Sequence, residues 1–326
     1  MISIDDPNGG LGIFTGGAHP EFAREICDIL DVELLPSTTR RFSNDCLQTQ
    51  LEANCRQRDI YIVQPLVTPV QDNLMELLLM LDAARGASAA QLTAVIPHYA
   101  YARSDKKDAP RISIGGRLVA DLLRTAGADR VLTMALHAPQ VHGFFSMPVD
   151  HLNAIAELAH HFVDHDLTNT VVVSPDLGNA KPASAFARVL GVPVAAGNKV
   201  RLADDQVRIE SIVGDVEGKD VIVLDDEIAN GGSIVALLDV LRERGVRRIA
   251  LAFTHALLTG KAVQRLAEQA DVVEVVVTNT VPISPDKQFD GLKIRSVAPL
   301  FAEAIRRIHC GESVSSLFVE VPQHAC

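Results

Sequence analysis

The amino-acid sequence predicts an α/β protein with mainly parallel sheets flanked by helices, and three observations carry that expectation. Strand-like apolar runs alternate with helical patterns from one end of the chain to the other. The strand-like runs are rich in Val, Ile and Leu, as in sheets covered on both faces. Several of them end in a short polar or Gly-containing loop that leads directly into a helix start. With 326 residues and 48% hydrophobic content, the chain can fill two cores, so two domains are expected.

Taken in order, strand and helix candidates interleave. Leu11–Phe14 precedes a helix near Pro20–Leu30, and Asp59–Val63 precedes Asn73–Arg85. Leu92–Pro97 is followed by Ile114–Thr125, and Val131–Ala135 by Leu152–Val163. A break at Gly143–Asp150 is the expected junction. Beyond it come Thr170–Ser174 with Ala180–Leu190, Val192–Ala196, Val221–Leu224 with Ser233–Arg244, Arg248–Phe253 with Gly260–Glu268, and Val272–Val277 with Ala298–His309. The halves look alike only at this coarse level, with no visible sequence repeat. In such sheets ligands gather at the carboxyl ends of the strands.

Composition narrows the function classes. A formal net charge of -11 argues against a general nucleic-acid surface, and the 22% charged fraction against long disorder. Cys27, Cys46, Cys55, Cys310 and Cys326 show no metal-like pairing; their odd number and wide spacing suggest free thiols in a reducing compartment. Met1–Gly10 is polar and acidic, unlike a signal peptide, and the apolar runs are too short to span a bilayer. A cytoplasmic protein without membrane contact is expected.

The most informative stretch is Lys219–Ser233, in which a buried-strand pattern ends in Asp225 and Asp226 and a loop of small residues leads to a helix opening at Ser233. Glycines admit close backbone approach, and free N–H groups at a helix start attract phosphate. Two acids at the strand end can grip sugar hydroxyls. Together Asp225, Asp226, Asn230, Gly231, Gly232 and Ser233 describe a cradle for a phosphorylated sugar. Tyr99–Arg111 mixes aromatics, cations and carboxylates, among them Arg103, Ser104 and Asp108; judged alone, the solvated charged loop is the preferred reading. His137, the Ser174–Lys181 turn with Asp176, and the polar stretch with Lys199 and Arg201 are each weak signals in isolation. His160, His161 and His165 invite a zinc reading, but they lie at a helical end without a nearby acid–water constellation, and they read as solvated surface. Gly214–Lys219 lacks Walker A spacing, and no Gly-x-Ser-x-Gly elbow is present.

Seven separated motifs resemble, in order, those of ribose-phosphate pyrophosphokinases. Arg41–Cys46 is similar to Arg-Phe-Ser-(Asp/Asn)-x-Glu, with Cys46 in place of the acid. Tyr99–Lys107 is similar to Tyr-Ala-Arg-Gln-Asp-Lys-Lys, with Ser104 for Gln. Leu136–Phe145 follows Asp-Leu-His-Ala-Pro-Gln-x-x-Gly-Phe-Phe, with Ala135 for the acid. Ser174–Asn179 follows Ser-Pro-Asp-x-Gly-Gly, and Asn179, which tolerates positive φ, replaces the second Gly. Lys199 and Arg201 match Lys-x-Arg of a mobile catalytic loop. The sugar-phosphate loop resembles Asp-Asp-x-x-Asp-Thr-x-Gly-Thr, with Ala229 for the third acid and Asn230 for Thr. Gly311–Phe318 is similar to a closing motif associated with an effector site.

The resemblance implies two tandem phosphoribosyltransferase-like domains, residues 1–146 completed by 303–326, and residues 147–302. It implies transfer of the diphosphoryl group of ATP to the anomeric hydroxyl of ribose 5-phosphate, giving phosphoribosyl pyrophosphate and AMP. Phe42, Asn44, Arg103, Ser104, Asp108 and His137 would contact ATP, His137 and Asp176 would ligate Mg²⁺, and Lys199 and Arg201 would stabilise the phosphoryl group in flight. A homo-oligomer, commonly a hexamer, is expected. Ala229 removes a contact worth on the order of 1.5–3 kcal/mol if direct, and it also makes space. The rival readings are therefore a pyrophosphokinase for a bulkier ketohexose 6-phosphate, a catalytically weak regulatory paralogue, and a phosphoribosyltransferase that consumes the activated sugar.

Overall fold

A computed structural model of the chain describes residues 10–203 and 206–318, except that the side chains of residues 199–203, 206–210 and 318 lie outside the description. The described residues fall into two compact units. The first runs through Leu152 and takes in Thr280–Pro282 and Ala298–Phe318; the second comprises Asn153–Asn279 and Ile283–Val297.

In unit 1 the elements follow as β1 (Leu11–Thr15), α1 (Pro20–Leu30), β2 (Ser37–Arg41), β3 (Leu47–Leu51), β4 (Asp59–Val63), α2 (Val70–Gly86), β5 (Gln91–Ile96), α3 (Gly115–Ala126), β6 (Arg130–Met134) and β7 (Val149–Leu152). A five-stranded sheet has the order β1-β4-β5-β6-β7, parallel throughout. Residues of both parities are fully buried: Phe14, Ile60 and Ile62 pack with Leu77, Leu81 and Leu123 of α2 and α3, while Ile13, Tyr61 and Val63 point the other way and are equally covered. That explains why these strands read as unbroken apolar runs. β2 and β3 form a separate antiparallel hairpin. The sequence Ser-Thr-Thr-Arg-Arg of β2 carries no apolar pattern, so hydrophobic periodicity misses it.

Unit 2 contains α4 (Ile155–Phe162), β8 (Thr170–Ser174), α5 (Ala180–Leu190), β9 (Val194–Ala203), β10 (Gln206–Val213), β11 (Asp220–Ile228), α6 (Gly232–Glu243), β12 (Arg248–Ala256), α7 (Ala262–Ala267), β13 (Val272–Thr278) and β14 (Leu292–Arg295). Its seven-stranded sheet has the order β10-β9-β8-β11-β12-β13-β14. Only β10 runs antiparallel to its neighbour, making an edge ribbon with β9. Val221, Val223, Leu237, Leu241, Leu251 and Phe253 centre its own core.

The last helix, α8 (Ala298–His309), returns to unit 1. Phe301 meets Phe22 of α1 edge to face at 5.3 Å, and His309 Nδ1 lies 2.9 Å from Asp59 Oδ2 on β4.

Two of the boundaries that differ from the sequence reading bear on the strand ends. Leu152 does not begin a helix: it pairs with Met134, and its carbonyl accepts the Ala135 N–H at 2.9 Å, so Val149–Leu152 forms the edge strand of the first sheet. β11 continues through Asp225 and Asp226 to Ile228, because Asp225 and Glu227 keep register with Phe253 and His255 of the longer β12. Among the described residues no helix is long and apolar enough to cross a membrane, and four cysteines (Cys27, Cys46, Cys55 and Cys310) are free; Cys326 lies outside the described residues.

Candidate functional site

Four of the expected site residues of unit 1, Arg103, Ser104, Asp108 and His137, lie beyond the carboxyl ends of two adjacent strands. β5 and β6 are hydrogen-bonded neighbours, so the segment after Ile96 and the segment after Met134 leave the sheet side by side. A bond from Gln140 Nε2 to Asp105 Oδ2 ties the segments together. Arg103 ends a 3₁₀ turn, Ala100–Arg103, with its side chain exposed; Asp108 and His137 are exposed as well. Ser104 has a different task. Its Oγ accepts the Gly115 N–H at 2.8 Å and its carbonyl accepts the Gly116 N–H at 3.0 Å, fastening the loop to the start of α3. Tyr99 reinforces that junction by donating its hydroxyl to the Gly116 carbonyl at 2.8 Å.

The His137 segment is held from below by a residue that sequence reading overlooked. The Leu136 N–H donates to His151 Nε2 at 2.7 Å. Burial, with a smaller contribution from nearby His142, pulls the His151 imidazole down to about 4, so it is neutral at pH 7 and able to accept. Phe42 and Asn44 sit at the tip of the β2–β3 hairpin. Phe42 is 49% exposed, and Asn44 Oδ1 accepts the Cys46 N–H at 3.2 Å. Arg41 stiffens the tip through Asp45 and Asp72, each at 2.6 Å.

In unit 2 the acids converge. Asp176 follows β8, and β8 is the direct neighbour of β11, which carries Asp225 and Asp226. Asp176 Oδ1 accepts the Asn179 N–H at 3.0 Å, and a Cβ at Gly178 would crowd that oxygen at 3.1 Å. Asn179 is not in the left-handed region that its substitution for Gly suggested: its φ is -93°. Instead its Nδ2 reaches the Leu224 carbonyl at 3.0 Å and Asp225 Oδ1 at 3.3 Å, bridging the two strand ends. Burial is the largest cause holding the Asp225 carboxyl well above the ordinary carboxylate range; the negative charge of Asp226, and then of Asp176, adds to it. The arrangement concentrates negative charge where a cation or the donor hydroxyls of a sugar would relieve it.

The loop after β11 is shaped by its own side chains. Gly231 is left-handed at φ 77°, and α6 begins at Gly232, with Ser233 in its first turn. Asn230 Oδ1 accepts the Gly232 N–H at 2.9 Å, so one of the loop's amide donors is engaged internally. Arg265 of α7, which no sequence motif singled out, donates to the Asn230 carbonyl at 2.8 Å and places a cation beside the loop. Lys199 and Arg201 lie on β9, and their side chains fall outside the described residues. His137 belongs to unit 1 and Asp176 to unit 2.

Comparison with known proteins covers the same ground. A family profile described as the N-terminal domain of ribose phosphate pyrophosphokinase matches residues 11–127, and one described as the phosphoribosyl synthetase-associated domain matches residues 202–319. A putative ribose-phosphate pyrophosphokinase of Streptomyces coelicolor is 64% identical over 94% of this chain and 97% of its own length. The ribose-phosphate pyrophosphokinase of Deinococcus radiodurans is 51% identical over 94% and 98%. The crystal structure of phosphoribosylpyrophosphate synthetase from Mycobacterium smegmatis superposes with a TM-score of 0.87 at 42% identity, covering 92% of this chain and 99% of that one.

Proposed function

The chain belongs to the ribose-phosphate pyrophosphokinase family, and we propose that it transfers the diphosphoryl group of ATP to the anomeric hydroxyl of ribose 5-phosphate. The anomeric oxygen forms a bond to the β-phosphorus, the bond from that phosphorus to the oxygen bridging to the α-phosphate breaks, and AMP leaves with the bridging oxygen. The hydroxyl proton is released. No covalent enzyme intermediate is needed, so the protein's contribution is positioning and charge.

The observation that carries the sugar side is the meeting of Asp225, Asp226 and Asp176 next to a glycine loop that opens α6. In this reading Asp225 and Asp226 orient the sugar hydroxyls. The 5-phosphate rests on Asn230, Gly231, Gly232 and Ser233, with Arg265 adding positive charge beside the loop. Arg103, Asp108 and His137, with Phe42 and Asn44, form the ATP side, while Ser104 acts through the loop it fastens. Lys199 and Arg201 meet the charge that develops on the transferred group.

An ATP-dependent transfer of this kind calls for a divalent metal ion, and Mg²⁺ fits the residues present. Asp176 has one carboxylate oxygen engaged by Asn179, leaving the other for a ligand, and the mutual repulsion of the nearby acids favours a hard cation. His137 and Asp176 would hold it, and when bound it would neutralise the polyphosphate. The same reading makes the chain a homo-oligomer, a hexamer by family resemblance, with the β2–β3 hairpin and its exposed Phe42 reaching a neighbouring subunit.

The test is direct. The protein is incubated with ATP, Mg²⁺ and a panel of pentose and ketohexose phosphates, and AMP is followed. AMP release with ribose 5-phosphate is expected. Release with a ketohexose phosphate alone, or with no sugar phosphate at all, would overturn the assignment.

A further inference from the structure

The three-histidine stretch at the end of α4, which reads as solvated surface in the sequence, acquires an acid from a distant strand. His161 Nε2 lies 2.8 Å from Oε2 of Glu274 on β13, and His165 Nδ1 lies 3.5 Å from Oε1 of the same carboxylate. Each oxygen of Glu274 thus faces a different imidazole nitrogen. One ligand atom from each of the three residues lies within 4.8 Å of the others. His161 and Glu274 are largely buried, at 15% and 13% side-chain exposure, whereas His165 is 44% exposed. The imidazole rings sit 5.5 Å apart and inclined at 67°, so they do not stack and their nitrogens turn toward the carboxylate between them.

These dimensions suit a metal ion. Bonds of about 2.0–2.1 Å in a tetrahedral site place neighbouring ligand atoms about 3.4 Å apart, close to the His165–Glu274 separation and a small relaxation from the His161–Glu274 one. The ligand types select the ion: two imidazoles and one carboxylate suit Zn²⁺ and its neighbours and are poor ligands for Mg²⁺. His165 and Glu274 also line a cleft of about 360 Å³, together with Asp166, Asp220 and Arg248. Asp220, Arg248 and Thr170 are the first residues of their strands, so the cleft lies at the amino end of the sheet. Asp225 stands five positions further along β11, about 17 Å away. The cluster is therefore separate from the sugar-phosphate acids of the same unit.

We propose that His161, His165 and Glu274 form a binding site for a zinc-class divalent cation, with its remaining coordination position open to this cleft. Bound there, the cation fixes the end of α4 to β13. The arrangement of two histidines four residues apart plus one remote acid leaves one position for water or a cleft ligand.

The experiment uses the full chain, stripped of metal by a chelator and then titrated with Zn²⁺ by calorimetry in excess Mg²⁺, which keeps oxygen-rich sites occupied. One Zn²⁺ per chain is expected, with affinity at least tenfold weaker in His165→Ala and in Glu274→Gln. His160→Ala removes an exposed neighbour outside the cluster and should bind like the parent. Circular dichroism of each variant verifies folding, and His165, being exposed, supplies a variant that folds even if Glu274→Gln does not. Absence of Zn²⁺ binding by the parent, or equal binding by the parent and folded His165→Ala, would overturn the proposal.

Discussion

Asp225 is placed where it weakens the fold. Its carboxyl is desolvated and faces the negative charges of Asp226 and Asp176, so its protonated form is favoured. The folded state then binds this proton more tightly than the unfolded chain does, and ionisation at neutral pH is destabilising. Asp225→Asn should therefore raise the melting temperature at pH 7 while lowering activity at least a hundredfold; a melting temperature that falls would contradict the burial argument. His151 acts in the opposite sense. Held down at about 4 against an ordinary value of 6.5, it contributes stability that is complete above pH 6.5 and drains away as the pH falls toward 4. The loss is on the order of 2 kcal/mol, and His151→Gln, which keeps an acceptor for the Leu136 N–H, should flatten it in urea unfolding measured at pH 7.5 and 4.5. The acids of the sugar loop were legible because they end an apolar run. The tasks of Ser104, Asn179 and His151 were not, because each is defined by a hydrogen-bond partner that only the tertiary fold brings near.

At the scale of elements, α1 and α8 form one of the covers of the first sheet. Both were legible with their boundaries, since Pro20 and Ala298 open amphipathic patterns that end at Leu30 and His309. Phe22 and Phe301 are 1% and 0% exposed and meet edge to face. Phe301→Ala should cost about 3–5 kcal/mol and raise hydrogen exchange across both helices; exchange confined to α8 would mean that the pair does not act as one cover. Short or exposed elements escaped the sequence reading for a physical reason. β7 and β14 have four residues each, β14 is mostly exposed, and β2 carries Thr and Arg in place of an apolar stripe, so their pairing comes from neighbours and not from their own pattern.

For the whole molecule, the alternation of strands and helices and the presence of two cores follow from composition and periodicity, and the two cores are observed separately. The meeting of His161 and His165 with Glu274 had no local signal, because more than a hundred residues intervene. Assembly into a hexamer predicts a mass of six chains by light scattering, reduced by Phe42→Ala if the hairpin reaches a neighbour; one chain mass for the parent would refute it. The return of α8 carries one more consequence. As the polypeptide emerges from the ribosome, the greasy side of α1 waits for Phe301, by which time nearly all of unit 2 has already been made. The half that is translated first is therefore the half that finishes last.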